Sequence, residues 1–212
     1  IDLVGAAESA VLISAPFGVD KNMVAAFESN SPDIVEYGLV NTTARKKIED
    51  FATRCTRFFT PAKMAKYQDR AWDAKAFGAH KIHAKTLVVD PWGDNPQVLI
   101  GSANFSRASC SDNDENALLI SGNKRLAAVI TTEFMRMFDH YKARFYIARI
   151  AGENKKIREE NVARDARGEA PKKFKSLGIH LKPNDSWSRT AFDANTNRSH
   201  KFRDRIVFSG QK

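Results

Sequence analysis

The feature that most narrows what this chain can fold into is a succession of short apolar runs alternating with helix-like faces and closed by one long amphipathic stretch. SAVLISAP (9–16) is an apolar run ended by Pro16 and Gly18, and it reads as a buried strand. KNMVAAFES follows with Met23, Val24 and Phe27 on one helical side, and DIVEYGLVN (33–41) is strand-like again. After Thr43, Ile48, Phe51 and Ala52 share a helical side, and RFFT (57–60) reads as a further short strand. Residues 61–79 are polar and alanine-rich, with no readable period. PQVLIGSAN reads as a strand that breaks at Gly101. The clearest helix is RLAAVITTEFMRMFDHYKARFYIARI (125–150), with Leu126, Val129, Ile130, Met137, Phe138, Tyr141 and Phe145 at spacings of three, four and seven. Its aromatic stripe is core and not a ligand box. Strands alternating with helices predict an α/β fold in which a sheet is covered by helices.

A chain of 212 residues is long enough for one large domain, or a domain with an appendage, around a sizeable core. Residues 1–150 form the expected domain. Residues 151–175 are charged and poor in apolar side chains, a solvated helix or linker, and 176–212 form a basic segment that regains aromatics and packs back on the domain. The formal net charge is +9, unevenly placed: residues 151–212 carry 15 Lys and Arg against 8 Asp and Glu, and the rest carries 19 against 17. A basic tail on a nearly neutral body suits a polyanion, either a nucleic-acid backbone or an anionic membrane surface, or else is a solvated face without a partner. No run of eighteen apolar residues occurs, so no transmembrane segment is expected, and the chain reads as soluble or peripheral. It begins with Ile1 and not Met, so an upstream segment is expected to be missing and export cannot be judged. Cys55 and Cys110 make neither a disulfide framework nor a zinc site, and a single bridge between them stays open beside two unrelated thiols.

HAKTLVVD (83–90) places a histidine and a lysine two residues apart at the start of an apolar run. On a strand, His83 and Lys85 share a face with Leu87 and Val89, while Asp90 lies behind the sheet near its end. GSANFS repeats the pattern, because Val98, Ile100, Ser102 and Asn104 share a parity. Two neighbouring strands would then bring an imidazole, an ammonium, a hydroxyl and a carboxamide over one small volume. Converging donors favour an anion, and a phosphodiester fits them. Lys85 and Asn104, with Ser102 or its backbone N–H, would hold non-bridging oxygens, and His83 would attack phosphorus to form a phosphohistidine. A second acid must then protonate the leaving oxygen.

These residues carry a family resemblance. H-x-K-x4-D at His83, Lys85 and Asp90, G-S-x-N at Gly101, Ser102 and Asn104, and NDEN at 113–116 resemble the HKD motif and its surroundings in the phospholipase D superfamily. APFG near Ala15, and EFMRMF with the nearby His140, extend the resemblance over most of the chain, which is most similar to the carboxy-terminal half of a bacterial phospholipase D-like protein. The resemblance implies a mixed β-sheet flanked by helices on both faces, an α-β-α sandwich, and metal-independent hydrolysis without a cofactor. It implies His83 as nucleophile or general acid, Lys85 and Asn104 as phosphate ligands and Ser102 as a supporting contact. Glu115 would accept a hydrogen bond from the His83 ring. Asp90 and Gly101 are read as structural members of the motif, Asp90 satisfying backbone or Arg and Lys donors.

Other candidates carry less. His80 and His83 are separated by odd spacing, and no cysteine or carboxylate completes a metal set. His140 reads as a satisfied helical histidine, and His180 and His200 as surface residues. HLKPNDS (180–186) has the wrong aspartate spacing for a second motif, and no GxSxG elbow surrounds Ser102. Such enzymes use two HKD motifs and this chain contains one. The partner is therefore a second HKD half, either an upstream segment or a homodimer mate whose two-fold axis duplicates the site. Three classes follow: a phosphodiesterase or nuclease acting on nucleic acid, a phospholipase D or transphosphatidylase acting on phospholipid, and a non-catalytic half of a two-motif protein.

Overall fold

The computed structural model of the chain describes residues 1–41, 56–60, 82–176, 183–188 and 200–210. The helix expected around Ile48, Phe51 and Ala52 lies outside them, as do His80, His180 and any pairing of Cys55 with Cys110.

Among the described residues, short runs become six strands: β1 (Ala10–Ser14), β2 (Val35–Leu39), β3 (Thr56–Phe59), β4 (Thr86–Val89), β5 (Gln97–Gly101) and β6 (Ala117–Ser121). They form one sheet in the order β3-β2-β1-β4-β5-β6. β1, β2 and β3 are parallel, whereas β1–β4, β4–β5 and β5–β6 are antiparallel. β1 joins the two halves of this mixed sheet, and all five of its residues are buried.

Helices cover both faces. The parallel pair β1–β2 needs a crossover, supplied by α2 (Lys21–Ser29), whose N-cap Asp20 accepts from Asn22 N. Its buried Met23, Ala26 and Phe27 stand three and four residues apart. The short α1 (Asp2–Gly5), not anticipated from the sequence, adds Val4 on this side. Here Val11, Ile13, Leu87 and Val89 meet Met23 and Phe27. Phe58 packs edge-on to Phe27 at 5.9 Å and lies over Gly38, where a Cβ would stand 2.1 Å from the Phe58 ring.

The opposite face is built by alternation. Leu12, Tyr37, Val88 and Val98 point away from α2 and meet Ala127, Phe134 and Phe138 of the long helix α4 (Lys124–Asp165), which comes after the short α3 (Arg107–Ser111) in the chain. Tyr37 stacks on Phe138 with centroids 4.3 Å apart and rings within 7° of parallel. Val129, counted in the apolar stripe of the sequence, is 58% exposed. α4 runs unbroken past residue 150 for 42 residues, about 63 Å at 1.5 Å per residue. Its distal half is charged and is held by its own return. The side-chain amides of Asn154 and Asn161 each pair with both the N–H and C=O of Lys175 and Lys172, at 2.7–3.0 Å. Lys175–Glu153 and Lys172–Glu160 ion pairs flank these clamps. Finally α5 (His200–Phe208) brings Phe208 against Trp92 at 4.8 Å and Asp204 onto the Tyr37 hydroxyl. The fold is a mixed sheet between two helical layers, an α-β-α sandwich.

Two departures shape the site. β4 is shorter than the expected strand over 83–90, so His83 and Lys85 lie in chain that leads into it. β6, whose ALLI run went unread behind NDEN, forms the sheet's edge and brings Glu115 and Asn116 alongside the end of β5.

Candidate active site

Lys85 precedes Leu87 by two residues and emerges on the α2 face of the sheet. It is only 6% exposed. Its Nζ donates to the His83 carbonyl at 2.9 Å, lies 3.0 Å from His83 Nε2, and stands 5.7 Å from the Phe17 ring centroid. An ammonium can only donate, so Nε2 accepts and Nδ1 carries the proton in this arrangement. Burial pulls the Lys85 pKa below the ordinary lysine value, and the negative charge of Glu115 opposes that pull. His83 itself is exposed, edge-on to Phe17 at 6.3 Å and 86°.

The second half of the site is a loop after β5. Parity fails here: Leu99 pairs with Leu87 on the α2 face, while Val98 and Ile100 belong to the α4 face. Extending the strand would therefore carry Ser102 and Asn104 away from Lys85. The strand ends instead at Gly101, where a Cβ would stand 2.2 Å from the Asn116 carbonyl oxygen, and the chain turns. After the turn, Asn104 and Lys85 line one cavity of about 530 Å³. Its walls are mainly apolar, among them Met23, Leu99 and Phe105, and it opens beside the first turn of α2. Asn104 Oδ1 is buried in this wall and has no hydrogen-bond partner among the described residues.

Ser102 and Glu115 face each other across the β5–β6 end. Ser102 Oγ donates to Glu115 Oε2 at 2.5 Å and accepts from Asn116 N at 3.0 Å, and Ser102 N donates to the Asn116 carbonyl. Both the hydroxyl and the amide expected to touch substrate are thus engaged within the loop. Glu115 takes its hydrogen bond from Ser102, and the His83 ring meets Lys85 and Phe17 instead of the expected carboxylate.

Asp90 stands at the far end of β4, five residues from Lys85 and about 16 Å away at 3.3 Å per residue. Its Oδ1 accepts from Ser9 N, Ser9 Oγ and Ala10 N at 2.7–3.0 Å, and Oδ2 accepts from Glu8 N at 2.9 Å. The carboxylate caps the entrance to β1 from a residue with φ of +48°, a conformation aspartate tolerates better than most residues. His140 lies on α4 with Arg144 3.4 Å from its Nε2, and burial together with Arg144 and Arg136 lowers its pKa. Among the described residues no cluster of three or more His, Cys, Asp or Glu could hold a metal, and no helix is long and apolar enough to cross a membrane.

Phe17 is the member of this site that the sequence reading passed over as a residue. It sits at the tip of a turn closed by Gly18 N donating to Ala15 O at 3.0 Å, with Pro16 preceding it, and it is 44% exposed. The signal was APFG itself, a turn that presents an aromatic side chain where a buried strand ends.

A family model described as cardiolipin synthase, PLD-like domain, matches residues 1–138. That is well over half of the chain, and the chain belongs to this family of phospholipase D-like domains. It is also similar to solved structures, among them the following two. NucT from Helicobacter pylori is 17% identical over 65% of this chain and 84% of its own, with a TM-score of 0.48. Nuc from Salmonella typhimurium, a phospholipase D family member, is 16% identical over 64% of this chain and 81% of its own, with a TM-score of 0.48. No curated protein is found to match.

Proposed function

We propose that the chain hydrolyses phosphodiesters through a covalent intermediate on His83, with nucleic acid as the substrate. The observation that carries this reading is the buried Lys85 ammonium held on His83 Nε2 at the edge of a cavity that Asn104 shares. The Nε2 lone pair that accepts from Lys85 is the one that would attack. An arriving phosphate gives Lys85 a stronger acceptor, a non-bridging oxygen, and frees Nε2. Asn104 donates its amide N–H to a second oxygen. As the bond from Nε2 to phosphorus forms, the bond to the leaving oxygen breaks, and that oxygen takes a proton from an acid on a second HKD half, either another copy of the chain or another segment. The same group, now a base, removes a proton from water. The water oxygen attacks phosphorus, the P–N bond breaks, and a phosphomonoester leaves with His83 restored. Glu115 offsets the cost of keeping Lys85 charged while buried, and Ser102 holds Glu115 in place.

The net charge of +9 supports a polyanionic substrate whose affinity falls with salt. A second reading is favoured by the apolar walls around Met23, Leu99 and Phe105, which suit a phospholipid substituent better than a sugar. Turnover of bis(p-nitrophenyl) phosphate in EDTA, with His83→Ala beside it, tests the chemistry. Turnover that the substitution abolishes supports it, and no turnover by either protein favours a non-catalytic half. Comparing single-stranded DNA with phosphatidylcholine vesicles as competitors of that turnover separates the two substrates.

A further inference from the structure

The residues around His83 are held by side chains and not by a strand ladder. The regular β1–β4 pairing ends at Ser14 and Thr86. Beyond it Ser14 Oγ, fully buried, donates to the Ala84 carbonyl at 2.8 Å. On the other side of His83, Asn41 is 5% exposed and uses both ends of its amide: Nδ2 donates to the Ile82 carbonyl at 3.0 Å, and Oδ1 accepts from Ile82 N at 3.3 Å. Asn41 N also donates to Pro16 O at 3.2 Å, one residue from the Phe17 ring that meets His83 edge-on. One buried asparagine therefore fixes the backbone before His83 through its side-chain amide, and meets the turn that carries the aromatic neighbour through its backbone N–H.

We propose that Asn41, assisted by Ser14, is the positioning residue for the His83 nucleophile. Two reciprocal hydrogen bonds to a single residue hold both peptide units that flank the Ile82 Cα, the second of which leads into His83, as a neighbouring strand would. The chain ahead of β4 thereby gains strand-like precision while the His83 side chain stays exposed for substrate. An apolar residue at 41 would fill the same volume and leave the Ile82 N–H and C=O unpaired. The inference rests on the phosphohistidine reading for its effect on rate, but the placement of the ring can be measured without turnover.

The test uses the full chain with Asn41→Ala and Ser14→Ala, each checked for folding by its urea midpoint. The first measurement is the ¹⁵N spectrum of the His83 ring, assigned by its loss in His83→Ala. The native protein is expected to show the single tautomer with Nδ1 protonated, and Asn41→Ala is expected to show averaged ring nitrogens in a folded protein. Ser14→Ala, which removes one tie and little volume, is expected to shift the same signals less, and it keeps the test open should Asn41→Ala fail to fold. In the phosphodiester assay kcat should fall about 100-fold in Asn41→Ala, the order expected for a reacting group displaced by about 1 Å. KM should change less than about twofold, because Lys85 and Asn104 still hold the phosphate. His83 ring signals identical to native in a folded variant overturn the proposal. An inactive native protein whose ring signals still respond to Asn41→Ala overturns the phosphodiesterase reading and leaves the positioning role standing.

Discussion

Asp90 gives the motif its third letter, and replacing it separates a structural role from a chemical one. Its carboxylate accepts four hydrogen bonds, three of them partly buried and all three on Oδ1. Taking about 1 kcal/mol for each partly buried bond lost, Asp90→Ala costs about 3 kcal/mol. Alanine at φ of +48° adds roughly 1 kcal/mol of backbone strain. Asp90→Asn keeps the Oδ1 acceptor and tolerates that φ, so it forfeits only the exposed contact with Glu8 N, at most about 1 kcal/mol and a term that Asp90→Ala loses as well. With a urea slope of about 2 kcal/mol per molar, the midpoint should move down by about 2 M in Asp90→Ala and about 0.5 M in Asp90→Asn. At low temperature and no denaturant, the kcat per folded molecule should stay within twofold of the native protein in both. A large loss of kcat with an unmoved midpoint would refute the argument and return Asp90 to the chemistry.

Three further outcomes follow from the same geometry. Gly101→Ala places a methyl 2.2 Å from the Asn116 carbonyl, so β5 and β6 must part, and we expect at least about 2 kcal/mol lost in urea together with loss of phosphodiester turnover. The Lys85 pKa is lowered by burial, so the ammonium that anchors phosphate is lost as pH rises through a value below that of an ordinary lysine; the basic limb of the pH–rate profile should fall there, and Lys85→Arg, charged throughout, should abolish that limb. Burial and Asp204 raise the Tyr37 pKa, so its contribution to stability is fully present below about pH 10 and is lost as pH rises past that ordinary value. Absorbance titration near 295 nm should therefore show one tyrosine that ionises only on alkaline unfolding, and Tyr37→Phe should remove it.

How far the sequence spoke for the structure differs from element to element. Strands β1 and β2 were legible because buried strands of an α/β sheet are short apolar runs bounded by turn residues, and β5 because its apolar run Val98–Ile100 lies between Pro96 and Gly101. β6 was not read, because its four apolar residues follow a polar motif that drew attention to its charges, and because the strand is an exposed edge with Leu118 and Leu119 about half exposed. α4 was read as a definite helix to residue 150 and as a helix or linker beyond it, since its distal half is stabilised by Asn154, Asn161 and ion pairs to the returning chain and so carries no apolar period. His83, Lys85 and Asn104 could be singled out by residue type and spacing. The way Asn104 reaches Lys85 could not, because alternation predicts the wrong face and only the break at Gly101 corrects it. Asn41 and Ser14 were invisible for a different reason: their partners are 41 and 70 residues away, and nothing in a local pattern reports a side chain that replaces a strand.

The most direct test of the account is to stop bis(p-nitrophenyl) phosphate turnover in acid-free, alkaline quench within a single turnover and map the mass of the peptide containing His83. A p-nitrophenyl phosphoryl group on His83, absent from His83→Ala and from native protein without substrate, is the predicted result. Turnover with an unmodified His83 peptide, or a phosphoryl group on another residue, would contradict it.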